Sequence, residues 1–434
     1  MVASGQVSVN LSVALFGYGE GQFFGGCSYG ERGYNGALVF QSVDLLQSQM
    51  RTAARMADIG PFHVMELMAR AKELETQGRS IIHLEVGEPD FPTPQPVIEA
   101  AQRFIAGGEV FYTHALGLPQ LREAIAGHYA SRYGIHVDSA RIIVTAGASG
   151  ALMLALGALV SPGDRWLMAD PGYPCNRHFV RLLEGVPAAI AVDATTEYQP
   201  TAAMVDAAWA ADTRGLLLAS PSNPTGTLIE APHLMELWQA VARRGGSLIV
   251  DEIYHGLTYG LEARSALELS DEIIVINSFS KYYGMTGWRL GWMVVPPSMV
   301  RSVEKLAQNL FISPSVPAQH AALAAFLPET TAILESRRQE FQARRDLLWA
   351  GLRNLDFSIE AEPQGAFYIY AGIGNLGNDS FALATELIER AGVAATPGLD
   401  FGTHAPERHM RFAYTVAGDK LSEGLERMAG FFRA

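Results

Sequence analysis

The sequence predicts an α/β fold built on a largely parallel sheet, and two observations carry that reading. Short apolar runs alternate with helical patterns along most of the chain, the signature of βαβ units. The candidate strands also run straight into polar clusters, as expected where an open sheet faces a ligand crevice. With 434 residues the chain can bury a large core and form two domains. Apolar residues make up 49% and charged residues 18%, a globular composition rather than a disordered one.

Taken in order, residues 1–49 read as a poorly structured extension. Their only charges are Glu20, Glu31, Arg32 and Asp44, and no basic segment precedes an apolar core, which argues against a signal peptide. Met50 and Met56 are candidate alternative starts. Apolar residues at helical spacing over 63–74, closed by Gly78, predict the first helix. Strands are expected at 141–145, 165–169, 215–219, 247–250 and 273–277, and amphipathic helices at 118–133, 231–244 and 335–355. The longest uncharged stretch, 142–163, is broken by glycines, hydroxyl residues and Pro162, so it fits a buried core helix rather than a membrane span.

A net charge of -13 argues against nucleic acid or an anionic membrane as the main partner. Only Cys27 and Cys175 are present, too few for a disulfide framework, and a reducing cytoplasm is the expected home.

The polar clusters carry the chemistry. Lys281 ends the run Ile274-Val275-Ile276-Asn277-Ser278-Phe279-Ser280-Lys281. An amine delivered by a buried strand is costly to desolvate unless it has a partner or a task, and lysine is the side chain that forms Schiff bases. Gly147-Ala148-Ser149-Gly150 opens an apolar helix, where small residues and free amides suit an anion. The plainer reading is a tight turn with Ser149 as N-cap. Ser278 and Arg289 offer further phosphate donors. Asp251 follows Ser247-Leu248-Ile249-Val250, so its carboxylate is expected to be buried and paired, with a protonated ring nitrogen or with a structural arginine. Tyr254 could bond a phenolic oxygen of the same ring, and Tyr173 could stack on it. Asn223 sits in a proline-rich turn, which by itself explains an asparagine. Each reading has an ordinary structural rival. Together they match the handles of pyridoxal 5'-phosphate.

Ser220-Pro221-Ser222-Asn223-Pro224-Thr225-Gly226, Asp251-Glu252-Ile253-Tyr254 and Ser278-Phe279-Ser280-Lys281-Tyr282-Tyr283-Gly284-Met285-Thr286-Gly287-Trp288-Arg289 closely resemble motifs of class I/II aminotransferases of the aspartate-aminotransferase fold (fold type I). So do Gly87-Glu88-Pro89-Asp90-Phe91-Pro92-Thr93-Pro94 and Met410-Arg411-Phe412-Ala413-Tyr414. The likeness runs over roughly residues 55–434 in the family's order.

That resemblance implies a large cofactor-binding domain over 97–327 and a smaller α+β domain built from 50–96 and 328–434. It implies that Lys281 binds the cofactor aldehyde and moves the substrate proton. Asp251 would keep the ring nitrogen protonated, Asn223 and Tyr254 would bond the phenolic oxygen, and Tyr173 would stack on the ring. Ala148, Ser149, Ser278 and Arg289 would hold the phosphate. Arg411, with Gly87 and Asn223, would clamp the substrate α-carboxylate. Tyr112 resembles a tyrosine that reaches the phosphate from a neighbouring subunit, which implies a homodimer.

The same cofactor and lysine would also serve a C–S lyase or a related synthase, but the motif from Gly284 to Arg289 favours transamination. A ligand-sensing regulator would need a basic helix-turn-helix segment, which residues 1–49 do not provide. Ser278-Phe279-Ser280-Lys281 also fits the Ser-x-x-Lys pattern of acyl-serine enzymes, whose companion motifs are absent. No metal site is expected. Ser149 stands where some dicarboxylate-specific relatives carry lysine, so the expected donor is a neutral aliphatic or aromatic amino acid, with a 2-oxo acid as acceptor.

Overall fold

Apolar runs become strands where both of their faces are covered, and that rule places the sheet in this computed structural model, which describes residues 51–433. The expected extension, 1–49, lies outside the described residues. The strands are β1 (Ile82–His83), β2 (Ile142–Thr145), β3 (Arg165–Asp170), β4 (Val186–Ala191), β5 (Thr213–Ala219), β6 (Ser247–Asp251), β7 (Ile274–Ser278), β8 (Gly291–Val294), β9 (Tyr368–Gly372), β10 (Val393–Ala394), β11 (Thr396–Pro397) and β12 (His409–Ala413). The helices are α1 (His63–Thr76), α2 (Gln95–Ala106), α3 (Pro119–Tyr133), α4 (Gly147–Leu159), α5 (Pro174–Leu182), α6 (Ala202–Ala208), α7 (Ala231–Ala242), α8 (Val300–Leu310), α9 (Val316–Leu323), α10 (Pro328–Asn354), α11 (Ser380–Glu386) and α12 (Gly418–Arg433).

The main sheet has the order β2-β8-β7-β6-β5-β3-β4. All its pairings are parallel except those of β8, which runs antiparallel to both β2 and β7. Every residue of β2, β7 and β8 is buried. A three-stranded antiparallel sheet, β11-β12-β9, and the short parallel pair β1-β10 use residues from both ends of the described chain. In the first of these Arg411 pairs with Tyr370, so Tyr368, two residues along β9, shares a face with Arg411.

Two strands of the main sheet were not expected, nor were the short strands of the two smaller sheets. β4 contains Pro187 and is half-exposed, because it is an edge strand where a missing N–H is tolerated. β8 is a short antiparallel return that begins two residues after the motif ending at Arg289. Other differences sit at element ends. Arg141 does not begin β2. It lies in a 3-10 turn capped by Asp138, and its guanidinium bonds Val295 O at 2.9 Å and Asp271. α10 starts at Pro328, earlier than expected, since proline at the first helical position loses no needed N–H. α3 ends at Gly134 with φ +70°, a left-handed stop that costs glycine little. No helix among the described residues is long and apolar enough to cross a membrane.

Candidate active site

Because β2, β3, β5, β6 and β7 run in the same direction, their carboxyl ends lie along one sheet edge. That edge opens onto a cavity of about 400 Å3. Lys281, Asp251, Tyr254, Asn223, Tyr173, Ala148, Ser149, Ser278, Arg289, Gly87 and Arg411 all line it. Tyr112 does not. It lies on the segment between α2 and α3 and is 81% exposed in the isolated chain.

Lys281 lies past the end of β7 and donates from Nζ to Gly87 O at 2.7 Å. Burial pushes its amine down to about 8. Glu88 opposes that shift, while Arg411 and Arg289 add to it. A proton can therefore leave and return to this amine near neutral pH.

Asp251, the last residue of β6, is buried. Its Oδ1 accepts from Ile253 N at 3.0 Å, and burial raises its carboxyl to about 7. No arginine, lysine or histidine forms an ion pair with it among the described residues, so the structural-arginine alternative falls away. A carboxylate so placed is completed by a cationic donor on the cavity floor.

Ser149 is not the cap of α4. That position belongs to Ala146, whose side chain cannot accept a hydrogen bond, and Ser149 is the third helical residue. The first-turn amides of α4 thus lack a capping side chain and face the cavity region where an anion is favoured. Gly147 has φ +71°, and a Cβ there would stand 2.8 Å from Arg289 Nη2. The arginine is pressed against bare backbone. Arg289 itself is left-handed, φ +53°, and among the described residues its side chain bonds only Thr286 O, at 3.1 Å. The Ser278 hydroxyl has Leu290 O and Ser280 Oγ as partners, both at 3.0 Å, which brings Ser280 into the site beside it. Uncapped amides, a guanidinium without a carboxylate and two hydroxyls form a cradle suited to a phosphate, and the floor carboxylate suits a protonated ring nitrogen. The residues present therefore fit pyridoxal phosphate.

Arg411 is 3% exposed. Its Nη1 donates to Asn223 Oδ1 at 3.0 Å, and its Nη2 to Glu85 O at 2.6 Å and Thr396 Oγ1 at 3.2 Å. Its Nε is buried without a partner. The guanidinium carbon lies 4.3 Å from the ring centre of Tyr368 and 4.9 Å from that of Phe401. An orphaned donor on a guanidinium fixed this way is suited to a carboxylate.

Tyr368 was not anticipated. Its hydroxyl is 3.0 Å from that of Tyr254, and a Cβ on Gly87 would overlap it. Nothing in the local sequence marks this tyrosine, because its place depends on the pairing of β9 with β12. The cavity wall formed by Phe62, Val64, Met65 and Met68 was also missed, since an amphipathic helix pattern does not say what its apolar face covers.

A family model described as aminotransferase class I and II matches residues 79–428. The valine–pyruvate aminotransferase of Mycobacterium tuberculosis is 38% identical over 383 residues, covering 88% of this chain and 98% of that protein. An aspartate aminotransferase of Streptomyces avermitilis is 34% identical over 396 residues, covering 88% and 96%. The crystal structure of an aminotransferase from Mycobacterium tuberculosis superposes with a TM-score of 0.85 at 38% identity, covering 88% of this chain and 99% of that one. On that breadth of match the chain belongs to the class I and II aminotransferases, and it is a pyridoxal-phosphate-dependent transaminase of the aspartate-aminotransferase fold.

Proposed function

We propose that this transaminase takes its amino group from neutral, apolar L-amino acids and passes it to a small 2-oxo acid. One observation carries the reading. Among the described residues the cavity lining contains three cations, Lys281, Arg289 and Arg411, and the roles below use all of them. None remains for a second substrate carboxylate. The 38% identical relative named for valine and pyruvate supports the same donor class.

When bound, pyridoxal phosphate supplies an aldehyde for the donor's nitrogen and a ring that accepts the electrons left on Cα. The protein's own residues do the rest. Arg411 binds the donor's α-carboxylate, its Nε being the donor left without a partner, with the Gly87 backbone alongside. Held in this way, the donor presents its Cα–H to Lys281. Lys281 Nζ removes that proton and would return it to the carbon on the other side of the donor's nitrogen. Asp251 holds a positive charge on the cavity floor, Tyr254 and Asn223 supply hydrogen-bond donors above it, and Tyr173 covers the ring face. Ala148, Ser149, Ser278 and Arg289 anchor the phosphate.

We read residues 97–327 as the cofactor-binding domain, with 50–96 and 328–434 forming the smaller one. We further propose a cytoplasmic homodimer in which Tyr112 enters the partner's site. Phe111 and Tyr112, 74% and 81% exposed, support this because two neighbouring aromatics so open to water are suited to burial by a second copy. Sedimentation of the purified protein at dimer mass tests that claim. A panel of alanine, valine, leucine, phenylalanine and aspartate, compared by kcat/KM, tests the donor class. Aspartate as the best donor would overturn it.

A further inference from the structure

The α1 helix has no cap of its own. Phe62 occupies the N-cap position and offers no side-chain acceptor. The acceptors come instead from a residue more than three hundred positions away: Asp400 Oδ1 accepts from His63 N at 2.8 Å, and Oδ2 from Val64 N at 2.9 Å. Asp400 is 2% exposed and has no ion-pair partner among the described residues. Arg177 reaches only its backbone carbonyl, at 2.9 Å. Both carboxylate oxygens are thus engaged by main-chain amides at the positive end of a helix.

That end of α1 is the part that meets the cavity. Phe62 precedes the capped amides and Val64 carries one of them, and Met65 and Met68 continue the wall. The residue after Asp400 is Phe401, whose ring packs against the Arg411 guanidinium. Two adjacent residues therefore fix the carboxylate clamp and the side-chain wall relative to each other. Their loop is anchored on the far side as well. Asp170 accepts from Thr403 N at 2.8 Å, Thr403 Oγ1 at 2.9 Å and His404 N at 3.2 Å, and Gly172 N donates to Phe401 O at 2.8 Å. Gly402 packs so tightly on Asp170 that any Cβ would overlap its carboxylate.

We propose that Asp400 is a positioning residue that sets selectivity for donors with long apolar side chains, by pinning α1 at a fixed distance from Arg411. This rests on the reading of the site as one for neutral donors. Methionines on the wall can adapt to side chains of different shape, so leucine, methionine and phenylalanine are the donors that gain. Alanine, whose methyl group ends short of the wall, gains little. Glu88, a lining residue whose charge acts on Lys281, adds a bias against acidic donors.

The test is kcat/KM for leucine and for alanine in the holoenzyme, comparing wild type, Asp400→Ala, Asp400→Asn and Met68→Ala. Losing a helix cap is worth about a tenfold change when the capped end makes the contact. The leucine-to-alanine ratio should therefore fall by about tenfold in Asp400→Ala, mostly through KM for leucine, with alanine within about twofold. Asp400→Asn keeps one acceptor oxygen and should fall between the two. Met68→Ala should lower the ratio without touching the cap. Equal losses for both donors, or an unchanged ratio, would show that Asp400 serves only general stability. If Asp400→Ala does not fold, an unchanged ratio in Asp400→Asn beside a lowered one in Met68→Ala overturns the proposal. The wild-type panel stands apart from this: a preference for aspartate there would sink the donor reading, whatever the variants do.

Discussion

Lys281 Nζ and Gly87 O are 194 residues apart in sequence and 2.7 Å apart in space. The contact joins the strand end that delivers the amine to the segment that lies beside Arg411. Gly87 can approach this closely because it has no side chain, and the volume a Cβ would need is filled by the Tyr368 hydroxyl.

Gly87→Ala should therefore displace Tyr368 from Tyr254 and weaken the donor site from two sides. A loss of kcat/KM of about a hundredfold is expected, in line with small misplacements near reacting groups. Tyr368→Phe removes only the hydroxyl contact and should cost about tenfold or less. Steady-state kinetics on both variants checks the order, and a Gly87→Ala enzyme with near-normal turnover would contradict it.

Arg411→Ala should lower kcat/KM for every amino donor by a similar factor, of about a hundredfold or more, because the α-carboxylate is common to all of them. Part of the loss belongs in kcat, since the clamp also aligns the Cα–H bond. Comparing alanine, leucine and phenylalanine tests this, and a loss confined to one donor would mean that Arg411 reads the side chain instead.

Gly147→Ala adds a Cβ 2.8 Å from Arg289 Nη2 and places alanine at φ +71°. Cofactor affinity should fall by about tenfold or more as the cradle is pushed apart. Fluorescence titration of the cofactor-free protein measures this, and unchanged affinity would show that the phosphate sits elsewhere.

Asp251 predicts a pH dependence. In the cofactor-free protein burial raises its carboxyl to about 7, so the folded state holds a proton that the unfolded chain releases near pH 4. With more protons bound in the folded state, stability falls as pH rises from about 4 to about 7. Asp251→Asn cannot titrate. Its cofactor-free melting temperature should therefore gain on the wild type between pH 5 and pH 8, by an amount on the order of 1–4 kcal/mol of stability. Glu252, raised to about 8 chiefly by burial and in small part by the Asp251 charge, titrates in both proteins, so most of its own pH dependence cancels in the comparison. Parallel melting curves would show that Asp251 is charged throughout.

What the sequence disclosed follows from how local each feature is. Asp251, Ser278 and Lys281 close or follow apolar runs that become β6 and β7, so strand periodicity alone brings them to one edge. The cap reading weighed as a rival for Ser149 gives way to a first-turn position, because spacing cannot say which residue leaves the strand first. Tyr368, Asp400 and the methionines of α1 were hidden for a different reason. Their roles depend on antiparallel pairing or on contacts across more than three hundred residues, which no local pattern encodes. The strand β4 was missed because an edge strand carrying Pro187 lacks a continuous apolar signal.

The central claim is that Lys281 is the amine that engages the cofactor aldehyde. Borohydride reduction of the holoenzyme, followed by digestion and mass mapping, tests it most directly. The account predicts a single pyridoxyl-bearing peptide containing Lys281, and no fixed label in Lys281→Ala. A label on any other lysine would contradict it.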